Sequence, residues 1–455
     1  MTVEKTIGGL VEASRKAQHD YESFDQKQVD ALVRAVGKVV FDNAEELARM
    51  AVDETMMGIY EDKVKKNMGK ARIIWHSLKG KKSVGIIDYD DEEKLYYVAK
   101  PKGVIGLVTP CTNPIVTPMC NLMFALKGRN SAVIAPHPRA KECGAYTVKL
   151  INQELKKLGA PENLVQIIEE PSLDLTNELM RQVDAVVATG GMAMVRAAYS
   201  SGKPSYGVGA GNVQVILDTG IDLEEAAEKI IIGRTFDNGI ICSGEQTIIT
   251  PIQIYDDTIE AFKKRGACYF DDPVIIDKFR KAMFTEKKVM NKELVGQPVE
   301  KVAEMAGVDV PEGTRVIILK AGGVGREELL CKEKMCSVMA SFGYASFEEA
   351  LRIAQANLDY EGEGHTVAIH SHDKEKIEKA GVFLNVSRLI VNQTSATSSG
   401  GSFFNGFAPT TTLGCGSWGN NSLSENLTYH HLLNISRIGL FKEGAAAPAD
   451  EELWG

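Results

Sequence analysis

The sequence of 455 residues has no apolar stretch long enough to span a membrane and no run of lysine and arginine residues. Residues 1–20 are polar and amphipathic, and they lack the apolar core of a signal peptide. The eight cysteines are scattered, and no second pair joins Cys331 and Cys336 to complete a zinc pattern. These absences predict a cytoplasmic protein with reduced thiols, which holds no metal and binds neither a membrane nor nucleic acid.

The composition is typical of a soluble globular protein. Hydrophobic residues make up 44% of the chain, charged residues make up 25%, and the formal net charge is −9. A chain of this length has room for more than one hydrophobic core. The acidic balance also argues against general nucleic-acid binding.

Apolar periodicity divides the chain into regions of different type. Residues 1–82 have helical spacing, which is clearest over 28–50, whereas residues 83–102 are strand-like. Residues 103–215 alternate apolar strands with helical stretches, and so do residues from about 222 to 428. Such alternation is typical of parallel sheets with right-handed crossovers. The pattern therefore predicts an α/β fold.

One cysteine lies in a segment typical of a reactive thiol. Cys242 is flanked by Gly239 and Gly244, which can adopt a positive φ and let a substrate approach the backbone. Small and polar residues surround the thiol, and backbone N–H groups aimed at the sulfur would favour the thiolate. A buried structural cysteine is the alternative, and the local pattern alone does not decide between the two.

Three further motifs have the residue types of a binding site. Residues 189–191 follow a strand and open a helix, where N–H groups can bind a phosphate, although a tight turn is the simpler explanation. Residues 109–114 follow another strand, and their Asn113 is either a turn residue or an amide donor to an oxyanion. His365 is a catalytic candidate because two glycines precede it, although a lone histidine is more often structural.

Taken together, these motifs resemble those of the aldehyde dehydrogenase superfamily, in its coenzyme A-acylating branch. The resemblance covers nearly the whole chain, and many spaced motifs agree in order. They are Thr109-Pro-Cys-Thr-Asn-Pro114, Ala135-Pro-His-Pro-Arg139, Ala188-Thr-Gly-Gly191, Asp237-Asn-Gly-Ile-Ile-Cys-Ser243, Lys332-Glu-Lys-Met-Cys336 and Leu413-Gly-Cys-Gly-Ser-Trp-Gly419. The resemblance implies a Rossmann-type cofactor domain, an α/β catalytic domain and a small β oligomerisation arm.

The resemblance also implies a role for each motif. Cys242 is the nucleophile, and Asn113 and the Cys242 backbone N–H form the oxyanion hole. Glu333 matches the acidic residue that binds the cofactor ribose. The residues expected to bind NAD or NADP are Thr109, Pro110, His137, Arg139, Thr189, Gly190, Gly191, Gly209 and Glu333.

One departure from the superfamily bears on the second substrate. Hydrolytic members carry a general-base glutamate in a Glu-Leu-Gly-Gly motif, and Gly207-Val-Gly-Ala210 stands in its place. Without that base, water is poorly activated against a thioester, whereas a thiol acceptor needs less help. The implied activity is an NAD(P)-dependent conversion between an aldehyde and an acyl-coenzyme A.

The aldehyde implied by the resemblance is succinate semialdehyde, with sulfoacetaldehyde and acetaldehyde as alternatives. A hydrolytic dehydrogenase and a non-catalytic scaffold are the alternatives from other classes. A carboxylate or sulfonate tail would need hydrogen-bond donors or a cation. Ser243, Thr394 and Ser395 are the hydroxyl candidates, and Arg388 is the candidate cation unless it only supports the fold.

Two cations bear on the choice of dinucleotide. Arg139 and Lys141 follow a strand, at the place where a 2′-phosphate would lie. The sequence therefore leans slightly to NADP over NAD, and a solvated helix start is an equal alternative.

We expect a dinucleotide-binding domain at 1–82 and 103–215, a catalytic domain at 216–430, and an oligomerisation arm at 83–102 and 431–445. The two arm segments are expected to pair in a β-rich arm between subunits, because an open strand edge is an aggregation hazard. The resemblance implies a homodimer or a dimer-based oligomer.

Overall fold

The computed structural model describes residues 2–455, and it has an α/β fold with three sheets. The α-helices are α1 (Val3–Tyr21), α2 (Gln26–Asp42), α3 (Ala44–Thr55), α4 (Tyr60–Leu78), α5 (Val116–Lys127), α6 (Lys141–Lys157), α7 (Leu173–Gln182), α8 (Met192–Tyr199), α9 (Leu223–Thr235), α10 (Tyr255–Lys264), α11 (Pro273–Met283), α12 (Val299–Ala306), α13 (Phe347–Tyr360), α14 (Lys374–Phe383), α15 (Ser395–Ser398) and α16 (Asp450–Trp454). The strands are β1 (Gly85–Asp90), β2 (Leu95–Pro101), β3 (Val104–Val108), β4 (Ser131–Ala135), β5 (Val165–Ile167), β6 (Ala185–Thr189), β7 (Ser205–Val208), β8 (Val213–Leu217), β9 (Glu245–Pro251), β10 (Ala267–Phe270), β11 (Val316–Lys320), β12 (Val338–Tyr344), β13 (Val367–His370), β14 (Leu389–Val391) and β15 (Leu433–Gly439).

The N-terminal helices form as the periodicity predicts. Helix α2 begins at a capping box, in which the Asp25 side chain accepts from the Gln28 N–H and the Gln28 side chain accepts from the Asp25 N–H. Its apolar residues at helical spacing, among them Leu32 and Val36, are buried against α4, α5 and α6. These contacts place α4 beside the cofactor-domain sheet, where one of its faces reaches the candidate site.

The first parallel sheet has five strands in the order β5-β4-β3-β6-β7. Alternate residues of β3 enter two separate cores, because successive strand side chains point to opposite faces. Ile105 and Leu107 pack with α2, α5 and α6, whereas Val104 and Val108 pack with α1 and α7. Helices therefore cover both faces, which confirms the predicted Rossmann-type layer.

The second parallel sheet has seven strands in the order β10-β11-β12-β9-β8-β13-β14. Strand β8 pairs with β9 and β13, so it belongs to this sheet. The predicted domain boundary at residue 215 lies inside β8 and is wrong by a few residues, because the apolar run 213–217 continues the βαβ pattern that precedes it. The Cys242 loop enters this sheet at the start of β9.

The third sheet is antiparallel and joins distant parts of one chain. Its order is β1-β2-β15, with Leu433 opposite Pro101 and Gly439 opposite Leu95. The two segments predicted to pair therefore do pair within the chain, and the position of this arm between subunits stays a prediction. Among residues 2–455, no helix is both long and apolar enough to cross a membrane.

Candidate active site

Loops at the carboxyl ends of β3, β4, β6 and β7 hold every residue predicted to bind a dinucleotide except Glu333. Because these strands are parallel, their loops lie along one edge of the sheet. The Thr109 N–H donates to the Ala135 carbonyl at 3.1 Å, and the Gly190 N–H donates to the Val208 carbonyl at 3.3 Å. These hydrogen bonds tie neighbouring loops together along that edge.

The turn at Gly190 and Gly191 leaves open space above the backbone. Apart from chain neighbours, no protein atom lies within 4 Å of a Cβ built at either glycine. Gly191 is the residue before α8, and the first N–H groups of a helix carry partial positive charge. The turn therefore has space and partial positive charge for an anion, and the binding of a dinucleotide by Thr189, Gly190 and Gly191 stays a prediction.

The two cations that bear on dinucleotide choice differ in their surroundings. The Lys141 ammonium is paired with the Glu170 carboxylate at 2.6 Å. The Arg139 guanidinium instead donates to the Thr55 carbonyl oxygen at 2.9 Å. Burial lowers the pKa of His137, and the positive charges of Arg139 and Lys292 lower it further. Arg139 is thus the better placed of the two cations for a 2′-phosphate.

The position of the missing general base is closed by packing. A Cβ at Gly207 would stand 2.8 Å from Val195 Cγ1 and 3.0 Å from Tyr199 Cε2. The Tyr199 hydroxyl accepts from the Gly207 N–H at 3.0 Å and donates to the Gly207 carbonyl at 3.2 Å. A Cβ at Gly209 would likewise stand 2.2 Å from Met192 Sδ. Both glycines are therefore needed for close packing of β7 and its following loop on α8.

The loop that carries Cys242 is held by a buried arginine. Arg234 is fully buried, and its guanidinium donates to the carbonyls of Gly239 and Lys334 at 2.6 Å and of Glu245 at 3.0 Å. Gly239 has φ 74°, and a Cβ there would stand 2.2 Å from the Arg234 Nη2 atom. The expectation of a positive φ is therefore confirmed at Gly239. It is wrong at Gly244, which is absent from the residues with positive φ.

The Cys242 thiol is half-buried, and its environment favours the protonated form. Burial raises the pKa of Cys242 to about 12, and the negative charge of Glu333 acts in the same direction. The positive charge of Arg388 lowers the pKa by a smaller amount. Burial therefore opposes the thiolate-favouring setting expected from the sequence, although a hydrogen bond from the Cys242 backbone N–H lowers the pKa of the thiol as expected.

Cys242 and Asn113 line one cavity of about 490 Å³. Ser243 also lines it, and its hydroxyl donates to the Ala396 carbonyl at 3.2 Å. Among residues 2–455, those that line this cavity include no aspartate or glutamate. An aldehyde in this cavity can therefore meet a thiol and an amide together, and the cavity lining supplies no carboxylate to activate water.

A charged network connects Asn113 to the Cys242 loop. The Lys66 ammonium donates to Asn113 Oδ1 at 2.7 Å and to Asp237 Oδ2 at 2.5 Å. Asp237 is fully buried and also accepts from Lys63 at 3.0 Å and from the Ile59 N–H at 2.8 Å. Positive charge from the two lysines keeps the pKa of Asp237 below its ordinary value, although burial opposes them.

Arg388, Thr394 and Ser395 do not line the cavity, which corrects their predicted substrate role. The Arg388 side chain is 2% exposed, and its donors go to Thr366, His365, Gly414 and Asn426. The Thr394 hydroxyl donates to the Lys229 carbonyl at 3.2 Å, and the Ser395 hydroxyl pairs with that of Ser399. Their neighbours Thr397 and Ser398 line the cavity instead.

His365 and Glu333 lie near the Cys242 loop. A Cβ at Gly211 would stand 1.9 Å from the Cys242 carbonyl oxygen and 3.2 Å from His365 Cε1. Burial, reinforced by the positive charge of Arg388, holds the pKa of His365 well below 6.5, so the imidazole is neutral. Burial raises the pKa of Glu333 to about 8, and the negative charge of Glu361 raises it further. The structure thus brings both residues close to Cys242, while their catalytic and ribose-binding roles stay predictions.

The sequence reasoning missed Lys66, Lys70 and Asp237. The two lysines lie on the cavity face of α4, and the Lys70 ammonium donates to the carbonyls of Gly400 at 2.9 Å and of Thr410 at 3.2 Å. Lysines on an amphipathic helix are usually solvated, so their pattern gave no signal. Asp237 does carry a signal in the sequence, because it lies five residues before the thiol in the same motif.

A profile described as the aldehyde dehydrogenase family matches residues 2–308, and a curated relative aligns over the full length. The chain belongs to the aldehyde dehydrogenase family. It is 56% identical to a succinate-semialdehyde dehydrogenase (acetylating) of Clostridium kluyveri, with 100% of each chain covered. An acetylating aldehyde dehydrogenase structure from Geobacillus thermoglucosidasius has a TM-score of 0.94 at 34% identity, with 98% of each chain covered.

A third comparison concerns a structure that contains bound CoA. Propionaldehyde dehydrogenase of Rhodopseudomonas palustris, solved with bound CoA and an acylated cysteine, has a TM-score of 0.84 at 31% identity. The match covers 95% of this chain and 97% of that one. These relatives confirm the predicted resemblance to acylating aldehyde dehydrogenases.

Proposed function

We propose that the protein is a CoA-acylating aldehyde dehydrogenase, which interconverts succinyl-CoA and succinate semialdehyde with NADPH or NADH. The observation that carries this proposal is the shared cavity of Cys242 and Asn113, which has no carboxylate in its lining. Cysteine and amide together suit acyl transfer through a thioester. The absent carboxylate suits a thiol rather than water as the acceptor.

The chain's own residues perform the covalent steps. Cys242 Sγ bonds to the aldehyde carbon, while the thiol proton leaves and the carbonyl oxygen becomes an oxyanion. The Asn113 amide and the Cys242 N–H donate to that oxygen, where one such donor typically contributes about 3 kcal/mol. Loss of hydride from the carbon leaves a thioester on Cys242. The CoA sulfur then bonds to the acyl carbon as the Cys242 thiolate leaves.

The dinucleotide accepts the hydride when it is bound. The open turn at Gly190 and Gly191 and the positive end of α8 fit its pyrophosphate. Arg139, which pairs with no carboxylate in the described part of the chain, supports a preference for NADP through its 2′-phosphate. Glu333 is proposed to hold the ribose.

Lys70 supports an aldehyde with an anionic tail. Its ammonium is held by two carbonyls in the wall of the Cys242 cavity and forms no pair with a carboxylate in residues 2–455. Burial lowers the pKa of Lys70 to about 8, so the ammonium is mostly protonated at neutral pH. A carboxylate tail would find a cation there that is not already neutralised, as succinate semialdehyde requires.

The proposal is tested by following NADPH and NADH oxidation with succinyl-CoA, acetyl-CoA and butyryl-CoA, with Cys242→Ala as the inactive control. We expect the highest kcat/KM with succinyl-CoA, and a loss of turnover of on the order of 10⁴-fold in the control. In the oxidative direction, product formation should require CoA. Equal release of free acid without CoA would refute the acylating assignment, and a higher kcat/KM with acetyl-CoA or butyryl-CoA would refute succinyl-CoA as the substrate.

We also propose that the protein acts as a homodimer in the cytoplasm. All eight cysteines are unpaired, which suits a reducing compartment. The sheet of β1, β2 and β15 has open edges within the chain, and Ile86, Ile438 and Phe441 around it are exposed. A second subunit would cover them. Light scattering at micromolar concentration tests the dimer, and a stable monomer would contradict it.

A further inference from the structure

We propose that Lys66, anchored by Asp237, is a positioning residue that turns the Asn113 amide so that its NH2 group faces the reacting carbonyl oxygen. The proposal deepens the proposed function, on which it rests for the role of Asn113 in the oxyanion hole. It assigns a task to an ion pair that the acyl-transfer steps themselves do not use.

The first step of the argument is the chemistry of an amide. A carboxamide has an oxygen that only accepts and a nitrogen that only donates, and rotation by 180° exchanges them. An oxyanion is bound only if the nitrogen faces it. In the Asn113 orientation with oxygen inward, the amide would repel the developing charge rather than bind it.

The second step is the contact that selects the orientation. An ammonium has three donors and no acceptor, so the amide atom it touches must be the oxygen. Lys66 Nζ lies 2.7 Å from Asn113 Oδ1. Among residues 2–455, no side chain or carbonyl accepts from the Asn113 NH2, and Asn113 lines the cavity with Cys242. The amide nitrogen is therefore free to donate to a ligand.

The third step is the anchor that fixes Lys66. A lysine side chain is flexible, so a single contact to Asn113 would not hold it in place. Asp237 is fully buried and binds Lys66 at 2.5 Å, while Lys63 and the Ile59 N–H bind the same carboxylate. Asp237 and Asn238 both have positive φ, at 55° and 54°. A residue other than glycine keeps this strained backbone conformation only where surrounding contacts hold it in place.

The anchor also connects the two segments that would supply the oxyanion donors. Asp237 belongs to the loop that carries Cys242, and Asn113 belongs to the loop after β3 in the other parallel sheet. Lys66 on α4 bridges the two loops. The charge-assisted bonds therefore couple the nucleophile segment to the oxyanion donor across the junction of the two sheets.

The test uses an acyl transfer that needs neither a dinucleotide nor CoA. With p-nitrophenyl acetate, the Cys242 sulfur bonds to the acyl carbon and the C–O bond to the aryl group breaks. p-Nitrophenolate leaves, the thiol proton passes to solvent, and the same oxyanion forms on the way. The burst of p-nitrophenolate reports the acylation rate, and failure of the CoA-dependent assay would therefore not be mistaken for failure of this proposal.

Lys66→Met should lower the acylation rate constant about tenfold, with the half-saturating ester concentration changed less than threefold. Lys66→Arg, which keeps donors at this position, should recover part of the rate. Lys65→Met is the matched control, because Lys65 is the adjacent lysine, is 71% exposed and pairs only with Asp62 at 3.4 Å. Lys66→Met keeps Lys63 and the Ile59 N–H on Asp237, and thermal melting checks that it folds.

The decisive measurement is a double-mutant cycle with Asn113→Ala. If Lys66 acts through the amide, Lys66→Met in the Asn113→Ala background should lower the acylation rate less than twofold further. The same tenfold loss in both backgrounds would overturn the proposal, as would an unchanged rate in the single variant. An equal loss in Lys65→Met would also overturn it, since it would point to cavity charge alone.

Discussion

The cavity face of α4 and the segment 388–395 both carry polar and cationic side chains. Those of α4 line the cavity, whereas those of the segment 388–395 bond to other parts of the protein. On α4, Lys66 and Lys70 extend into the Cys242 cavity. In the other segment, the Arg388 guanidinium donates four hydrogen bonds to protein acceptors and supports the loops around β13 and β14. A cation near a strand end is therefore no better a guide to substrate binding than one on a helix, until its acceptors are known.

Arg388→Met should show the largest effect, and the effect should be on stability. The substitution leaves the buried carbonyls of His365 and Gly414 and the Asn426 amide without their donor. We expect the free energy of unfolding to fall by about 3–5 kcal/mol. Urea titration followed by circular dichroism measures it. If Arg388→Met folds normally and loses only its affinity for succinyl-CoA, then Arg388 binds substrate and its assigned structural role is wrong.

Gly207→Glu should destabilise the protein without creating a hydrolase. Its Cβ would meet Val195 and Tyr199, so the carboxylate cannot enter the cavity by a local rotation. Overpacking of this kind costs about 1–3 kcal/mol. Product analysis without CoA should show no gain in free acid over the parent. A clear gain would show that the space beside Tyr199 opens to Cys242.

Lys70→Met should lower the preference for an anionic substrate, with a smaller loss of stability than Arg388→Met because the Gly400 and Thr410 carbonyls lose a donor. Loss of a charge-assisted contact worth about 2 kcal/mol corresponds to a roughly thirtyfold rise in KM for succinate semialdehyde. Butyraldehyde, with four carbons and no charge, is the matched control and should change little. An equal change in KM for both aldehydes would show that Lys70 does not bind the anionic tail.

The same residue gives a pH prediction. The pKa of Lys70 is lowered to about 8, so the protonated ammonium dominates below pH 8 and is lost as the pH rises through that value. For the parent enzyme, KM for succinate semialdehyde should therefore rise above pH 8, and KM for butyraldehyde should not. In Lys70→Met this difference between the two aldehydes should vanish.

Glu333→Gln should give the smallest effect, on the reactivity of the thiol. The charge of Glu333 raises the pKa of Cys242, and Glu333 itself ionises with a pKa of about 8. Its removal should speed iodoacetamide alkylation of Cys242 about threefold at pH 9, where the carboxylate is charged, and hardly at all at pH 6.5. Mass spectrometry of the Cys242 peptide measures the rate. A slower reaction at pH 9 would contradict the assigned charge effect.

The sequence was sufficient to predict the two parallel sheets and, within the site, Cys242, Asn113 and the loops after β3 and β6. The apolar β-strands of both parallel sheets have clear local signals, and the loops after β3 and β6 follow from the rule that ligands bind at carboxyl edges. Cys242 and Asn113 were predicted together because their motifs carried the family resemblance. The resemblance did not predict that Arg388 is surrounded by hydrogen-bond acceptors, because these acceptors lie 22 to 38 residues away along the chain.

The rest of the site depends on packing that no local pattern encodes. Lys66 contacts Asn113 across 47 residues and Asp237 across 171 residues. The closure at Gly207 depends on Tyr199 folding back from α8. Whether a polar helix face lines a cavity depends on the segment that packs opposite it, which the local sequence does not reveal. The cavity-lining lysines of α4 could therefore not be distinguished from solvent-exposed lysines.

The pairing of β2 with β15 has a consequence for the order of events during synthesis. About 330 residues separate Pro101 from Leu433, and at roughly 5–20 residues per second the ribosome takes on the order of 20–60 s to make them. Throughout that interval one edge of β2 is without its partner strand. Lys94, Lys100 and Lys102 lie along or beside this strand, and charged edge residues of this kind discourage pairing with other chains. The lysines thus protect the nascent chain until its last strand arrives.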